Sequence, residues 1–218
     1  MTEIGEVFNH LHKKARFLPI FPSEEVIKWR HRELTPPMKV LVIGCGGGRH
    51  VLYLAREGFI CTGIDISDNG LRETNLRTRS EDLEVELVLS DFLSFSSITP
   101  DEHFDAILAF SVLYYQSEAT FNLCLSEISR ILKIGGKLFF NMRSHQDWRH
   151  QYQNSEGRLA ELESNGTRLV EANLPHIFFD LNSLMKLIPS SFNIKTGSYS
   201  SEFEGKLNHN LLIDATKF

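Results

Sequence analysis

Apolar positions change their spacing twice along the chain. Near the start, Ile4, Val7, Phe8 and Leu11 fall at i, i+3, i+4 and i+7, the stripe of one helical face. An aromatic and proline-bearing link runs from Phe17 to Pro22. Ser23 then stands where an N-cap belongs, and Glu24 and Glu25 occupy a first turn that suits carboxylates. The pattern predicts a second helix to about Leu34, stopped by Pro36 and Pro37.

From Lys39 the texture becomes short aliphatic or β-branched runs alternating with helical stripes, which is how βαβ units read. Strands are expected at 39–43, 59–64, 85–89, 104–110 and 136–142. Between them Val51, Leu54 and Ala55 form one helix face, and Phe121, Leu125, Ile128 and Leu132 another. Gly135 and Gly136 are expected to end that last helix and turn the chain into the next strand. The stretch 143–175 is polar, aperiodic and longer than ordinary connections, and reads as an insertion with a job, such as a lid. A helix near 180–188, cut by Pro189, and strands near 192–197 and 208–215 complete an α/β pattern.

Length and charge narrow the class. A chain of 218 residues, 42% hydrophobic, suits one well-buried core. A net charge of -5 and a pI near 6.0 disfavour a nucleic-acid partner, which would call for clustered Lys and Arg. Cys45, Cys61 and Cys124 lie in apolar segments without CxxC spacing, as small buried side chains in a reducing cytoplasm. The N-terminus lacks a signal-peptide apolar stretch, and no run approaches a membrane span, so a cytoplasmic protein with no membrane partner is expected. None of the histidines shares metal-ligand spacing with another plus an acid, and no metal is expected.

The most informative segment is Lys39-Val-Leu-Val-Ile-Gly-Cys-Gly-Gly-Gly-Arg-His50, a strand running into a glycine-rich turn and then a helix. Gly44, Gly46 and Gly48 let the backbone turn sharply and approach a ligand closely. A dinucleotide turn of the form G-x-G-x-x-G would need its third glycine at position 49, where Arg49 stands. That disfavours a nicotinamide-dependent oxidoreductase.

G-x-G-x-G after a strand is the pattern of class I S-adenosylmethionine-dependent methyltransferases, which the chain resembles over residues 38–142. Asp65, in Gly63-Ile-Asp65-Ile-Ser67, stands about 20 residues beyond the first glycine, where an acid accepts hydrogen bonds from vicinal ribose hydroxyls. The resemblance implies that Asp91 meets the adenine amine and Phe92 its ring. It also implies a cofactor site of Gly44, Cys45, Gly46, Gly48, Asp65, Ile66, Asp91, Phe92 and Phe110, with S-adenosylmethionine as cofactor. The fold it implies is a Rossmann-like, seven-stranded, mostly parallel sheet with helices on both faces. Residues 1–37 would form an N-terminal helical cap and residues 38–218 the single methyltransferase domain. One position departs from the family: Val42 stands where the strand before the glycines usually carries an acid. The string G-C-G-G-G-R-H-x-x-x-L-A-x-x-G looks like the branch that methylates small metabolites.

Acceptor-site candidates follow the fourth and fifth strands, at the sheet edge where such folds place ligands. Of Tyr114 and Tyr115, one is expected to line the pocket, with Tyr114 the candidate, and the other to pack in the core. Arg143 and Arg149 are of the type that grips a carboxylate or phosphate in two-point contact, with Asp147 orienting one and Trp148 stacking on a ring. A solvated charged loop is the alternative. His145 and Tyr114 are the candidate bases, although methyl transfer rests mainly on alignment, and no catalytic residue is assigned. The expected function is methyl transfer to a small molecule such as a sugar or other anionic metabolite, by a monomer or homodimer. The competing reading is an S-adenosylmethionine-binding protein that acts in a complex without catalysis.

Overall fold

The computed structural model describes residues 3–14, 17–161, 166 and 169–218. Residues 1–2 and 15–16 of the expected cap, and 162–165 and 167–168 of the expected insertion, lie outside the described residues.

In chain order the elements are α1 (Glu3–Leu11), α2 (Glu24–Glu33), β1 (Lys39–Ile43), α3 (Arg49–Arg56), β2 (Ile60–Asp65), α4 (Asp68–Ser80), β3 (Val85–Leu89) and α5 (Phe92–Ser97). β4 (Phe104–Ala109), α6 (Glu118–Ile131), β5 (Leu132–Arg143), a 3-10 helix (Trp148–Tyr152), α7 (Leu181–Leu187), β6 (Phe192–Phe203) and β7 (Lys206–Lys217) follow. The seven strands form one sheet in the order β3-β2-β1-β4-β5-β7-β6. β1 to β5 pair in parallel, and β7 runs antiparallel to both of its neighbours. The order reverses between β1 and β4, which opens a crevice at their C-terminal ends.

Strand alternation sorts the core into two layers. Val40, Val42, Ala106 and Leu108 pack under α2 and α3, where Trp29 stacks on Phe139 at 5.2 Å. Leu41, Ile43, Ile107 and Phe140 point the other way, under α5, α6 and α7. Both sheet faces are therefore apolar, which explains why the inner strands read as continuous hydrophobic runs.

Several expectations are corrected. Ser23 occupies the N-cap of α2, but its hydroxyl makes no capping bond; its amide and Oγ each lie 3.3 Å from His50 Nε2, docking the helix start on α3. Gly135 and Gly136 do not end α6. β5 begins at Leu132, and Gly135, at φ +78°, sits in a bulge where the register with β4 shifts, with open space around it. The last two strands are longer than expected and form a hairpin around Glu204 and Gly205, both at positive φ, as a two-residue turn of this kind requires. α4 escaped the periodicity reading because its buried face is Gly70, Leu71, Thr74 and Thr78, with one large apolar side chain.

Candidate functional site

Gly44, Gly46 and Gly48 all have positive φ, at +68°, +51° and +91°. A Cβ on Gly44 would come within 2.6 Å of Val112 Cγ2, and one on Gly48 within 2.8 Å of Thr74 Oγ1, so the walls of the loop press on both. Over Gly46 the nearest atom is His12 Cε1 at 3.6 Å, so there the backbone conformation, rather than space, requires glycine. From outside, α4 fixes the loop: Thr74 Oγ1 donates to the Gly46 carbonyl at 2.7 Å and Arg77 to that of Gly47 at 3.0 Å.

Asp65 ends β2 as a buried carboxylate joined to this loop. Its Oδ2 accepts from the Gly46 amide at 2.7 Å and its Oδ1 from the Ser67 amide at 2.8 Å. Burial pushes its carboxyl up from the ordinary value, opposed by the Ser67 and Gly46 amides and by His12. His12, just beyond α1, is pushed down by burial and held up in part by Asp65, and its Nδ1 lies 2.8 Å from Ser67 Oγ. Asn9 of α1 accepts from the Asn69 amide at 2.9 Å. The leading helix thus lies across the end of β2.

The other expected cofactor residues divide. Ile66 is half-buried beside Asp65, and Phe92 is buried at the start of α5. Asp91 caps α5, its Oδ1 accepting from the Ser94 amide at 2.9 Å and its Oδ2 from the Ser94 hydroxyl at 2.6 Å. The Phe110 ring stacks between Phe139 and Tyr199 in the core beneath α2 and α3, and the Cys45 thiol faces β2 at Gly63. Those two positions offer a ligand no free side chain. Val42 also points into that apolar layer. The loop and Asp65 fit the adenosyl part of S-adenosylmethionine, a cradle at Gly46 beside a carboxylate, whereas β1 supplies no acid for its amino group. Arg49, the first residue of α3, lies close to Tyr114 and Tyr199, and its guanidinium makes no hydrogen bond or ion pair among the described residues.

At the ends of β4 and β5 the picture is different. Arg143 is buried with its guanidinium over the rings of Tyr114 at 4.4 Å and Tyr115 at 5.6 Å. Its Nη1 and Nη2 donate to Glu171 Oε2 at 3.2 Å and Oε1 at 2.8 Å. Tyr115 Oη donates to Oε1 at 2.5 Å, and Arg149 Nε reaches Oε2 at 3.0 Å. Arg149 Nη1 also donates to Asp147 Oδ1 at 3.0 Å and to Asn208 Oδ1 at 2.9 Å. The two arginines expected to grip an anion already hold carboxylates of this chain. The solvated-loop alternative fails as well, because Arg143 and Asp147 are buried.

Burial opposes the Arg143 charge, but the Tyr114, Glu171 and Tyr115 side chains outweigh it and hold the guanidinium protonated. Burial likewise opposes the Glu171 charge, and Arg143 outweighs it, leaving the carboxyl well below its ordinary range. His176 is pushed down to about 4 by burial and then by Arg143, with Glu171 opposing. Its Nδ1 lies 3.2 Å from the Leu174 carbonyl, while its buried Nε2 has no hydrogen-bond partner among the described residues. His145 is tied to the Phe178 carbonyl at 3.0 Å, and the Trp148 indole donates to Asn208 at 3.3 Å with Arg149 and Lys206 over its ring. Sequence reasoning named Tyr115 beside Tyr114 but missed Glu171 and His176. Glu171 and His176 sit in aperiodic chain, and only the fold brings them to β5.

Residues 41–140 match the family described as a methyltransferase domain. The ubiquinone biosynthesis O-methyltransferase of Glaesserella parasuis is 33% identical over 106 residues, 47% of this chain and 44% of that protein. The chain spans less than half the length of the curated relatives it matches. A crystal structure of an S-adenosylmethionine-dependent methyltransferase from Methanosarcina mazei superposes with a TM-score of 0.71 at 22% identity, covering 91% of this chain and 99% of that one. The 1,6-didemethyltoxoflavin-N1-methyltransferase of Burkholderia thailandensis, solved with bound 1,6-didemethyltoxoflavin and S-adenosylhomocysteine, gives a TM-score of 0.66 at 18% identity over 89% of this chain and 77% of that one. Over residues 41–140 the chain is similar to methyltransferase domains, and it shares its fold with S-adenosylmethionine-dependent methyltransferases of known structure. Among the described residues no helix is long and apolar enough to cross a membrane.

Proposed function

We propose that the chain binds S-adenosylmethionine at the glycine loop and transfers its methyl group to a small molecule held at the ends of β4 and β5. The observation that carries this reading is Asp65, a buried carboxylate at the end of β2 bonded to the Gly46 amide of the glycine loop, which in this reading accepts from the ribose hydroxyls. When bound, the cofactor supplies an electrophilic methyl on a sulfonium. The protein's part is to align donor and acceptor and exclude water, and alignment of this kind contributes on the order of 7–11 kcal/mol in favourable cases.

In this reading Gly44, Gly46, Gly48, Asp65 and Ile66 form the adenosyl site, Phe92 borders the adenine, and Asp91 offers the adenine amine a carboxylate already fixed by Ser94. Arg49, at the start of α3, takes the cofactor's carboxylate. Residues 1–37 cap the cofactor, and the insertion 143–175 covers the acceptor. The acceptor is a sugar or other anionic metabolite, a choice supported by the buried guanidinium of Arg143. Val42 favours a second reading, in which the chain binds the cofactor without turnover.

Calorimetric titration with S-adenosylmethionine and S-adenosylhomocysteine tests the first step. Micromolar binding is expected. Asp65→Ala should weaken it about 10- to 100-fold, the range for losing hydrogen bonds to a charged acceptor. Release of S-adenosylhomocysteine in the presence of small acceptors then separates turnover from binding alone. Failure of the wild type to bind either compound would sink both readings.

A further inference from the structure

We propose that Arg143, Arg149 and Tyr115 form a carboxylate-binding site that the chain fills with its own Glu171, and that the methyl acceptor carries a carboxylate that takes Glu171's place. The acceptor part rests on the methyltransferase reading; the site itself does not.

The two oxygens of Glu171 receive Arg143 Nη1 and Nη2 end-on, Tyr115 Oη and Arg149 Nε. A planar fork meeting a planar two-oxygen anion is the geometry by which arginine selects carboxylates. Arg143 and Tyr115 stand on or just beyond β5 and β4, whereas Glu171 arrives on a segment that belongs to neither helix nor strand. Framework residues make the site, and a loop supplies its occupant.

The local charge balance selects a monoanion. Two guanidinium groups, Arg143 and Arg149, face two carboxylates, Glu171 and Asp147. Without Glu171 one positive charge is left in a buried site, and one carboxylate restores neutrality. A phosphate dianion would overshoot, and His176 stays neutral near pH 7 and offers no compensating charge. A buried guanidinium does not tolerate an empty site, so Glu171 leaves only as another anion enters.

Two further features suit exchange. Leu159, Leu169 and Phe178, backed by Trp148, Tyr152 and Ala172, form a small apolar cluster separate from both sheet layers, so the insertion has packing of its own. His176 Nε2, buried, unpartnered and 3.9 Å from Glu171 Oε2, is a polar atom that the internal carboxylate does not satisfy. A ligand larger than a side-chain carboxylate gains a contact there. The tether gives Glu171 a high effective concentration, so a small free carboxylate does not displace it, whereas an acceptor with further contacts does.

The test is thermal unfolding of the full chain with Glu171→Ala, titrated with sodium formate, acetate and benzoate. Sodium chloride at equal ionic strength, acetamide, benzamide and inorganic phosphate serve as controls. The variant is expected to melt below the wild type and to recover several degrees, saturably, with the carboxylates alone. Wild type, whose site is filled, should not respond, nor should Glu171→Ala/Arg143→Met. If Glu171→Ala does not fold, Glu171→Gln keeps the volume without the charge and takes the same titration. No carboxylate-specific recovery, an equal response to phosphate, or a response that survives Arg143→Met would overturn the site. Cofactor binding by the wild type is read separately by calorimetry. A carboxylate response without cofactor binding would leave the site standing and remove its assignment to a methyl acceptor.

Discussion

The two ends of the sheet's C-terminal edge handle buried charge in opposite ways. At the glycine loop, Asp65 is held by backbone amides and Arg49 is left without a partner among the described residues. At β5, Arg143 is bonded at both Nη atoms to a carboxylate from a distant loop. Backbone amides cannot leave when a ligand arrives, whereas a side chain on a loop can. The first end is therefore a fixed frame with an open cation, and the second is a closed cluster whose anion is replaceable.

The largest effect that would break this contrast is in the closed cluster. Arg143→Met should destabilise the fold by about 3–5 kcal/mol, because it removes the two-point partner of Glu171 and leaves that carboxylate only Arg149 and Tyr115. Adding Glu171→Leu should return a substantial part of that loss, since an apolar pair of similar volume does not need the charge. Urea unfolding of the two single variants and the double variant measures the coupling. Additive losses would show that the pair is not one unit.

A second effect sharpens the contrast through pH. His176 is pushed down to about 4 by burial and by Arg143. In the unfolded chain its value is about 6.5. Between those two values the unfolded chain takes up a proton that the native protein refuses, so stability falls as pH drops, by up to ~3 kcal/mol across the window. Glu171, held below its ordinary range, contributes stability that is lost at lower pH still. His176→Gln should flatten the decline between pH 6.5 and 4 and leave the steeper acid loss in place. Urea midpoints measured across pH report this, and an unchanged slope in the variant would place the titration elsewhere.

The contrast also explains which half was legible from sequence. The glycine turn, Asp65 and the strands that carry them are local: their spacing is written in consecutive residues, and the βαβ order leaves one way to assemble them. Asp91 was found by resemblance, yet its carboxylate also performs the capping that its place before Phe92 and Ser94 dictates. The end at β5 is built from Tyr115, Arg143, Glu171 and His176, spread across two strand ends and an aperiodic insertion. No periodicity links them, and the sign of the local field depends on Glu171, whose neighbours in sequence give no hint that it pairs with the buried Arg143. Arg143 alone read as an open anion grip. Its partner made it a closed one.

The smallest effect concerns the open cation. Arg49→Met removes a guanidinium that holds nothing among the described residues, so stability should change by no more than about 0.5 kcal/mol, as for substitutions that break no contact. Ligand binding should change more. If Arg49 holds the cofactor's carboxylate, S-adenosylhomocysteine should bind about tenfold more weakly, the loss of roughly 1.4 kcal/mol expected for one partly exposed charge-assisted contact. Methylthioadenosine, which lacks the amino-acid end, should bind wild type and variant alike, because Asp65 and the glycine loop are untouched. Calorimetry on the two ligands separates the cases. Equal weakening for both would mean that Arg49 shapes the loop rather than meeting the carboxylate, and a loss of stability like that of Arg143→Met would erase the difference between the two ends.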